Sequence, residues 1–167
     1  MKSENVFSTE RSIFEPFGAE LARAVVDGEQ SDDWAEDFPF EGDVVVAGLI
    51  LAPESHVDPP TNDRPWGFWV IRRRVIDGDG SGALIGGVGF KGEPRDGWAE
   101  IGYGLVPSAR GAGFAIEAVE AMCQASERLG IRVWAETEPG NIASERVLSR
   151  CGFTRTSLTD EISTWRR

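Results

Sequence analysis

Apolar and polar positions change period several times along this chain, and each change marks an element. Residues 11–17 predict a first strand and residues 19–27 a helix. Residues 44–52 form the longest apolar run. There Val44-Val45-Val46 favour a strand, while the length of the run and the loop after it fit a buried helix equally. Residues 53–65, rich in Pro, Asp and Asn, predict a loop. Two strands follow, 66–76 and 83–91, joined by the turn Asp77-Gly78-Asp79-Gly80-Ser81-Gly82. The turn Glu93-Pro94-Arg95-Asp96-Gly97 leads into a strand over 98–106. Ala115, Val119, Met122, Ala125 and Leu129 fall at helical spacing and predict a long helix closed by Gly130. Residues 131–138 predict a strand, and 141–150 a helix capped by Asn141 and stopped by Gly152. Two short strands, around 153–156 and 162–166, complete the chain. Antiparallel hairpins followed by strand–helix–strand–helix–strand predict one α+β domain over residues 1–167, with a single mixed, mostly antiparallel sheet and flanking helices.

Composition narrows the partners. The net charge of −11 argues against nucleic acid, whose binding rests on Lys and Arg neutralising phosphates, and is compatible with a cationic substrate. The apolar run 44–52 is too short to cross a bilayer and no secretory apolar segment follows Met1, so the expectation is a cytoplasmic protein with no membrane partner. Cys123 and Cys151 have no metal-ligand spacing to each other or to His56, and both are expected as buried thiols; no metal is expected. His56 stands alone in its loop. Residues 27–43 carry eight acidic side chains and no Lys or Arg, interrupted by Trp34, Phe38 and Phe40. That pattern fits a solvated acidic face anchored by aromatics, or one wall of a pocket for a cation. In Arg72-Arg73-Arg74 the alternation of a strand puts Arg72 and Arg74 on one face, expected to be solvated. The tryptophans at 66, 69, 98, 134 and 165 are expected in the core or at its rim.

The most chemical stretch is Ser108-Ala109-Arg110-Gly111-Ala112-Gly113-Phe114-Ala115, between the strand 98–106 and the long helix. Glycines let the backbone approach a ligand closely, and a helix N-terminus offers free N–H groups and the positive end of its dipole. The turn is therefore a candidate phosphate cradle. It is not a dinucleotide fingerprint, which needs three glycines spaced G-x-G-x-x-G after the first strand of a βαβ unit. Neither is it a P-loop, since no Lys and Ser/Thr follow Gly113.

Arg110-Gly111-Ala112-Gly113-Phe114-Ala115 resembles the R/Q-x-x-G-x-G/A turn of the GNAT superfamily of N-acetyltransferases. Ala99-Glu100-Ile101-Gly102-Tyr103-Gly104 resembles its central strand, and Glu117-Ala118 the E-A pair of its long helix. Asn141-Ile142-Ala143-Ser144-Glu145-Arg146-Val147-Leu148-Ser149-Arg150-Cys151-Gly152-Phe153 is similar to the later N-x-x-S-x-R-V-L-x-x-x-G-F segment of the branch that contains ribosomal-protein N-terminal acetyltransferases. Residues 9–17 resemble the family's first strand.

The resemblance implies the acyl-CoA N-acyltransferase fold and acetyl-CoA as cosubstrate. It implies direct transfer, in a ternary complex, to a primary amine that is a small molecule or a peptide N-terminus; a homodimer is also compatible. The diphosphate of coenzyme A would meet the N–H groups of Gly111, Ala112, Gly113, Phe114 and Ala115 and the guanidinium of Arg110. Its pantetheine would pair with Leu105 and Val106, and an N–H near Val106 would polarise the acetyl carbonyl. Glu100 would accept the amine's proton. Tyr103, on the other sheet face, is expected to pack. Many family members carry on the second of these helices a Tyr that protonates the departing thiolate; Leu148 stands at that position. Ser144, one turn from Asn141, is the alternative acid and a cofactor contact with Asn141, although a thiolate leaves readily without one. Two other classes stay open: a non-catalytic acyl-CoA-binding sensor and, against the failed fingerprint, a dinucleotide-dependent oxidoreductase.

Overall fold

A computed structural model describes residues 6–53, 58–75 and 81–167. His56, Ile76 and turn residues 77–80 lie outside the described residues. The elements run β1 (Phe7–Ser8), β2 (Ser12–Pro16), α1 (Ala19–Val26), α2 (Glu41–Leu51), β3 (Phe68–Arg74), β4 (Ser81–Phe90), β5 (Trp98–Leu105), a 3-10 turn (Pro107–Ala109), α3 (Phe114–Arg128), β6 (Arg132–Thr137), α4 (Ile142–Arg150), β7 (Thr154–Leu158) and β8 (Ser163–Arg166). The eight strands form one sheet in the order β1-β2-β3-β4-β5-β6-β8-β7. All neighbours pair antiparallel except β5 and β6, which are parallel and joined by α3 as a crossover.

The ambiguous run 44–52 is a helix, and it begins earlier than its apolar residues, at Glu41. Glu41 and Asp43 place negative charge in the first turn, where the helix dipole favours it, and Asp43 accepts the N–H of Phe40 (3.0 Å). Val44, Val45 and Leu49 remain exposed on α2. α1 packs against α2, while α3 packs against α4 and the central strands. Phe14, Trp69, Ile71, Leu84, Phe90, Ile101, Met122 and Leu148 are fully buried in the core.

One expectation changes. Arg72 is not solvated: its side chain is largely covered and paired with Glu15 (2.9 Å) and Asp33 (2.8 Å), while Arg74 donates to the carbonyl of Thr9 (3.0 Å). Both tie loops to the sheet. Cys123 and Cys151 are buried free thiols, and burial pushes them up to about 12 and about 11, so neither is a nucleophile at neutral pH.

Candidate active site

The parallel pair opens where the chemistry is needed. β5 pairs with β6 only at Trp98, Ala99 and Glu100, whereas Ile101 to Leu105 pair on the other side with β4. The hydrogen bonds Val106 N–H to the Ile85 carbonyl (3.0 Å) and Lys91 N–H to the Glu100 carbonyl (2.9 Å) fix which β5 residues address β4. By antiparallel alternation the backbone groups of Ile101, Tyr103 and Leu105 point the other way, into the opening beside β6. The Leu105 carbonyl confirms the direction, since it accepts the Nε of Arg110 (3.0 Å). The expected amide at Val106 is therefore already occupied, and those of Leu105 and Tyr103 take its place at the gap.

The turn that follows is held from outside. Asp37 accepts the N–H (2.8 Å) and the hydroxyl (2.7 Å) of Ser108, and these bonds hold its carboxyl below the usual range. Arg11 donates to the carbonyl of Ala112 (2.8 Å) and, through its Nε (2.9 Å) and main-chain N–H (3.0 Å), to Glu117, which Thr9 also bonds. Burial works against ionisation of Glu117, but the bonds from Thr9 and Arg11 prevail and keep it below the usual range. Gly111 (φ +75°) and Gly113 (φ +86°) are left-handed, a conformation open to glycine at low cost. Glu117 is the first residue of α3 whose N–H reaches a carbonyl, that of Gly113 (3.1 Å), so among the described residues the amides before it have no acceptor and can face a ligand. Arg11 and Arg73 lie over the ring of Phe114, at 4.9 and 5.5 Å. Open amides, a helix dipole and two flanking guanidinium groups fit a diphosphate. Arg110 has a different place from the one expected. Besides its bond to Leu105, its guanidinium stacks on Phe40 (4.6 Å), fastening the turn to the start of α2.

A cavity of about 340 Å³ lies between α2 and the sheet and reaches the gap, where Thr137 of β6 and Ser144 of α4 border it. Its origin is legible residue by residue: Gly87, Gly102 and Gly104 leave the sheet bare under α2. Among the described residues, Asp43 is the single member of the eight acidic positions 27–43 to border the cavity, so the broad acidic wall is not formed. Asp33 and Asp37 are tied to Arg72 and Ser108 instead. Asp43 is 6% exposed, and burial pushes its carboxyl up to about 6, a rise that the Phe40 N–H only partly offsets. The hydroxyl oxygen of Thr137 is buried and has no partner among the described residues.

Glu100 is ion-paired with Lys91, and by alternation shares the sheet face of Gly102 and Gly104. Tyr103 does more than pack: its hydroxyl donates to the carbonyl of Ser144 (3.2 Å), and burial pushes the phenol up to about 12, keeping it protonated. Asn141 caps α4 by accepting the Ser144 N–H (3.1 Å). Leu148 is wholly inside the core and has no access to the gap. The fold thus gathers Leu105, residues 111–115, Tyr103 and Ser144 along one route, with Arg110 bracing it from behind. Sequence reasoning missed Arg11, Arg73, Asp43 and Thr137 as site residues; the acidic run contained Asp43 and the arginine triplet 72–74 contained Arg73, but neither signal singled the residue out. Among the described residues no group of three or more His, Cys, Asp or Glu side chains is placed to hold a metal.

Residues 18–154 match the family described as the acetyltransferase (GNAT) domain. The sequence is 31% identical over 85 residues to the uncharacterized N-acetyltransferase YjdG of Bacillus subtilis (strain 168), a stretch that makes up 49% of this chain and 51% of that protein. The chain thus spans about half the length of the curated relative it matches. In fold it is similar to a GNAT-family acetyltransferase from Bacillus anthracis, with a TM-score of 0.63 at 17% identity over 97% of each chain. It is similar as well to the ribosomal L7/L12 alpha-N-protein acetyltransferase RimL in complex with coenzyme A, with a TM-score of 0.63 at 20% identity over 98% of this chain and 97% of that one.

Proposed function

Because the chain belongs to the GNAT acetyltransferase family, we propose that it transfers an acetyl group from acetyl-CoA to a primary amine while both substrates are bound. One observation carries this reading: a strand edge that β6 leaves unpaired, Ile101 to Leu105, runs from a turn suited to an anion to a cavity large enough for a second substrate.

Acetyl-CoA supplies an acetyl group already activated as a thioester. The amides of residues 111–115 and the guanidinium groups of Arg11 and Arg73 hold its diphosphate. The backbone of β5 pairs with the pantetheine amides as a strand would, and the N–H groups of Leu105 and Tyr103 are the donors available to a developing oxyanion. Tyr103 and Ser144 line the cavity at the gap, so their hydroxyls are the candidates to protonate a departing thiolate. The acceptor enters from the α2 side. RimL, a structural relative, acts on a protein N-terminus, so peptides belong beside small amines among the acceptors to test.

The reading is checked by following coenzyme A release from acetyl-CoA across a panel of primary amines and peptides, with the product identified by mass. Release matched one to one by an acetylated amine is expected. Tight coenzyme A binding with no release against any acceptor would instead mark a sensor of acyl-CoA.

A further inference from the structure

The cavity beneath α2 contains one feature that cofactor binding does not require. Asp43 is buried at its wall, its Oδ2 occupied by the Phe40 N–H while its Oδ1 lies against Gly87, 3.5 Å from where a Cβ on that residue would stand. Around it the cavity is apolar: Phe40, Val45, Val46, Leu49 and Phe68 border it, and the exposed Val45 and Leu49 extend that surface to solvent. Among the described residues no cation pairs with it, and a carboxylate in such surroundings is costly unless a ligand brings one. Of the other carboxylates near the cavity, Glu100 already holds Lys91, and Glu136 stands exposed at its β6 border.

We propose that Asp43 is the catalytic residue that receives the ammonium group of the acceptor and takes its proton, and that the apolar cavity selects a primary amine carried on an apolar body. The proposal rests on the acetyl-transfer reading. Asp43 Oδ1 takes one proton from the ammonium nitrogen, and the freed lone pair forms the new N–C bond. As the C–S bond breaks, its electron pair leaves with sulfur, which takes the second nitrogen proton; Asp43 returns the first to solvent.

Among the described residues, the charged groups around Asp43 are few. Lys91 of β4, paired with Glu100, and Glu136 of β6 border the same cavity, and Tyr103 stays protonated. Arg110 lies over Phe40. Glu20 and Arg23 on α1 and Glu41 on α2 are exposed. Burial pushes the Asp43 carboxyl up to about 6, so the rate with the acceptor is expected to titrate there and to stop doing so in D43N.

The probe is 2-phenylethylamine, with ethanolamine as the polar comparison. Carbon-13 carboxyl NMR of the whole protein, with Asp43 assigned by its loss in D43N, should show its midpoint fall when phenylethylamine is added and stay in place with ethanolamine. Turnover of phenylethylamine should rise with pH through the Asp43 midpoint. D43N should lose 10²–10³-fold in kcat/KM for the amine on the scale of general-base removal, lose that acid limb, and keep its KM for acetyl-CoA within about twofold. The limb should persist in E100Q, whatever its rate. An unmoved Asp43 midpoint, a limb retained in D43N or lost in E100Q, or ethanolamine turned over as well as phenylethylamine would each overturn the proposal and leave acetyl transfer standing. Absence of turnover in the wild type with every acceptor would overturn the transfer reading, and with it this one.

Discussion

At neutral pH the Asp43 carboxylate works against the fold that holds it. Burial raises its folded value to about 6, so between about pH 4 and 6 the folded chain binds more protons than the unfolded one. Stability from this group is therefore present at low pH and falls as pH rises through that window. Replacement by Asn keeps an oxygen for the Phe40 N–H and removes the charge. D43N is expected to be more stable than the wild type at pH 7.5 by about 1–3 kcal/mol, a difference that closes near pH 4. Denaturant unfolding at the two pH values measures it, and a difference that does not depend on pH would show that Asp43 is not held in the raised state. A side chain that costs stability where it stands is one expected at a working site. In the sequence Asp43 is one of eight acidic residues and nothing singles it out. Its difference from Asp33 or Asp37 lies in what covers it.

The turn before α3 shows how far a local element can be read from its residues. Two glycines, an arginine and the start of a helical period sit within eight positions, so the anion cradle is legible. Its exact furnishing is not, because Arg110 bonds back to Leu105 and the flanking cations come from β2's approach and β3. Gly113→Ala tests the cradle. Its left-handed φ disfavours a side chain, and the new Cβ would stand 3.2 Å from Nη2 of Arg11, disturbing the grip on Ala112. A cost of about 1 kcal/mol in stability and a coenzyme A Kd raised about tenfold are expected by calorimetry, with the far-ultraviolet circular dichroism unchanged. Unaltered affinity would move the diphosphate elsewhere. The strands and the long helix were equally legible from their periods. α2 was not, because its apolar residues run almost all round it and offer no contrast to read. β1, with two residues, is too short for a period to register.

The assembled molecule brings the turn, the strand edge and the cavity into one continuous path. The cavity depends on what is missing from the sheet. At Gly104 an added Cβ would meet nothing within 4 Å, so valine is tolerated by the strand yet fills the space beneath α2. Gly104→Val should leave the unfolding midpoint in urea within the equivalent of about 1 kcal/mol, while abolishing acceptor turnover. Turnover at the wild-type rate would place the acceptor outside this cavity.

Local order in the chain specifies the helices, the strands, the glycine turn and the family resemblance, because each is carried by residues a few positions apart. The site needed contacts that no short stretch contains. Arg11 reaches Ala112 across 101 positions, and Asp37 reaches Ser108 across 71. Asp43 becomes a buried carboxylate only when α2 closes over the glycines of β4 and β5. Spacing encodes the period of an element, whereas desolvation and pairing depend on which distant surfaces pack together, and those set the chemistry of the carboxylates here.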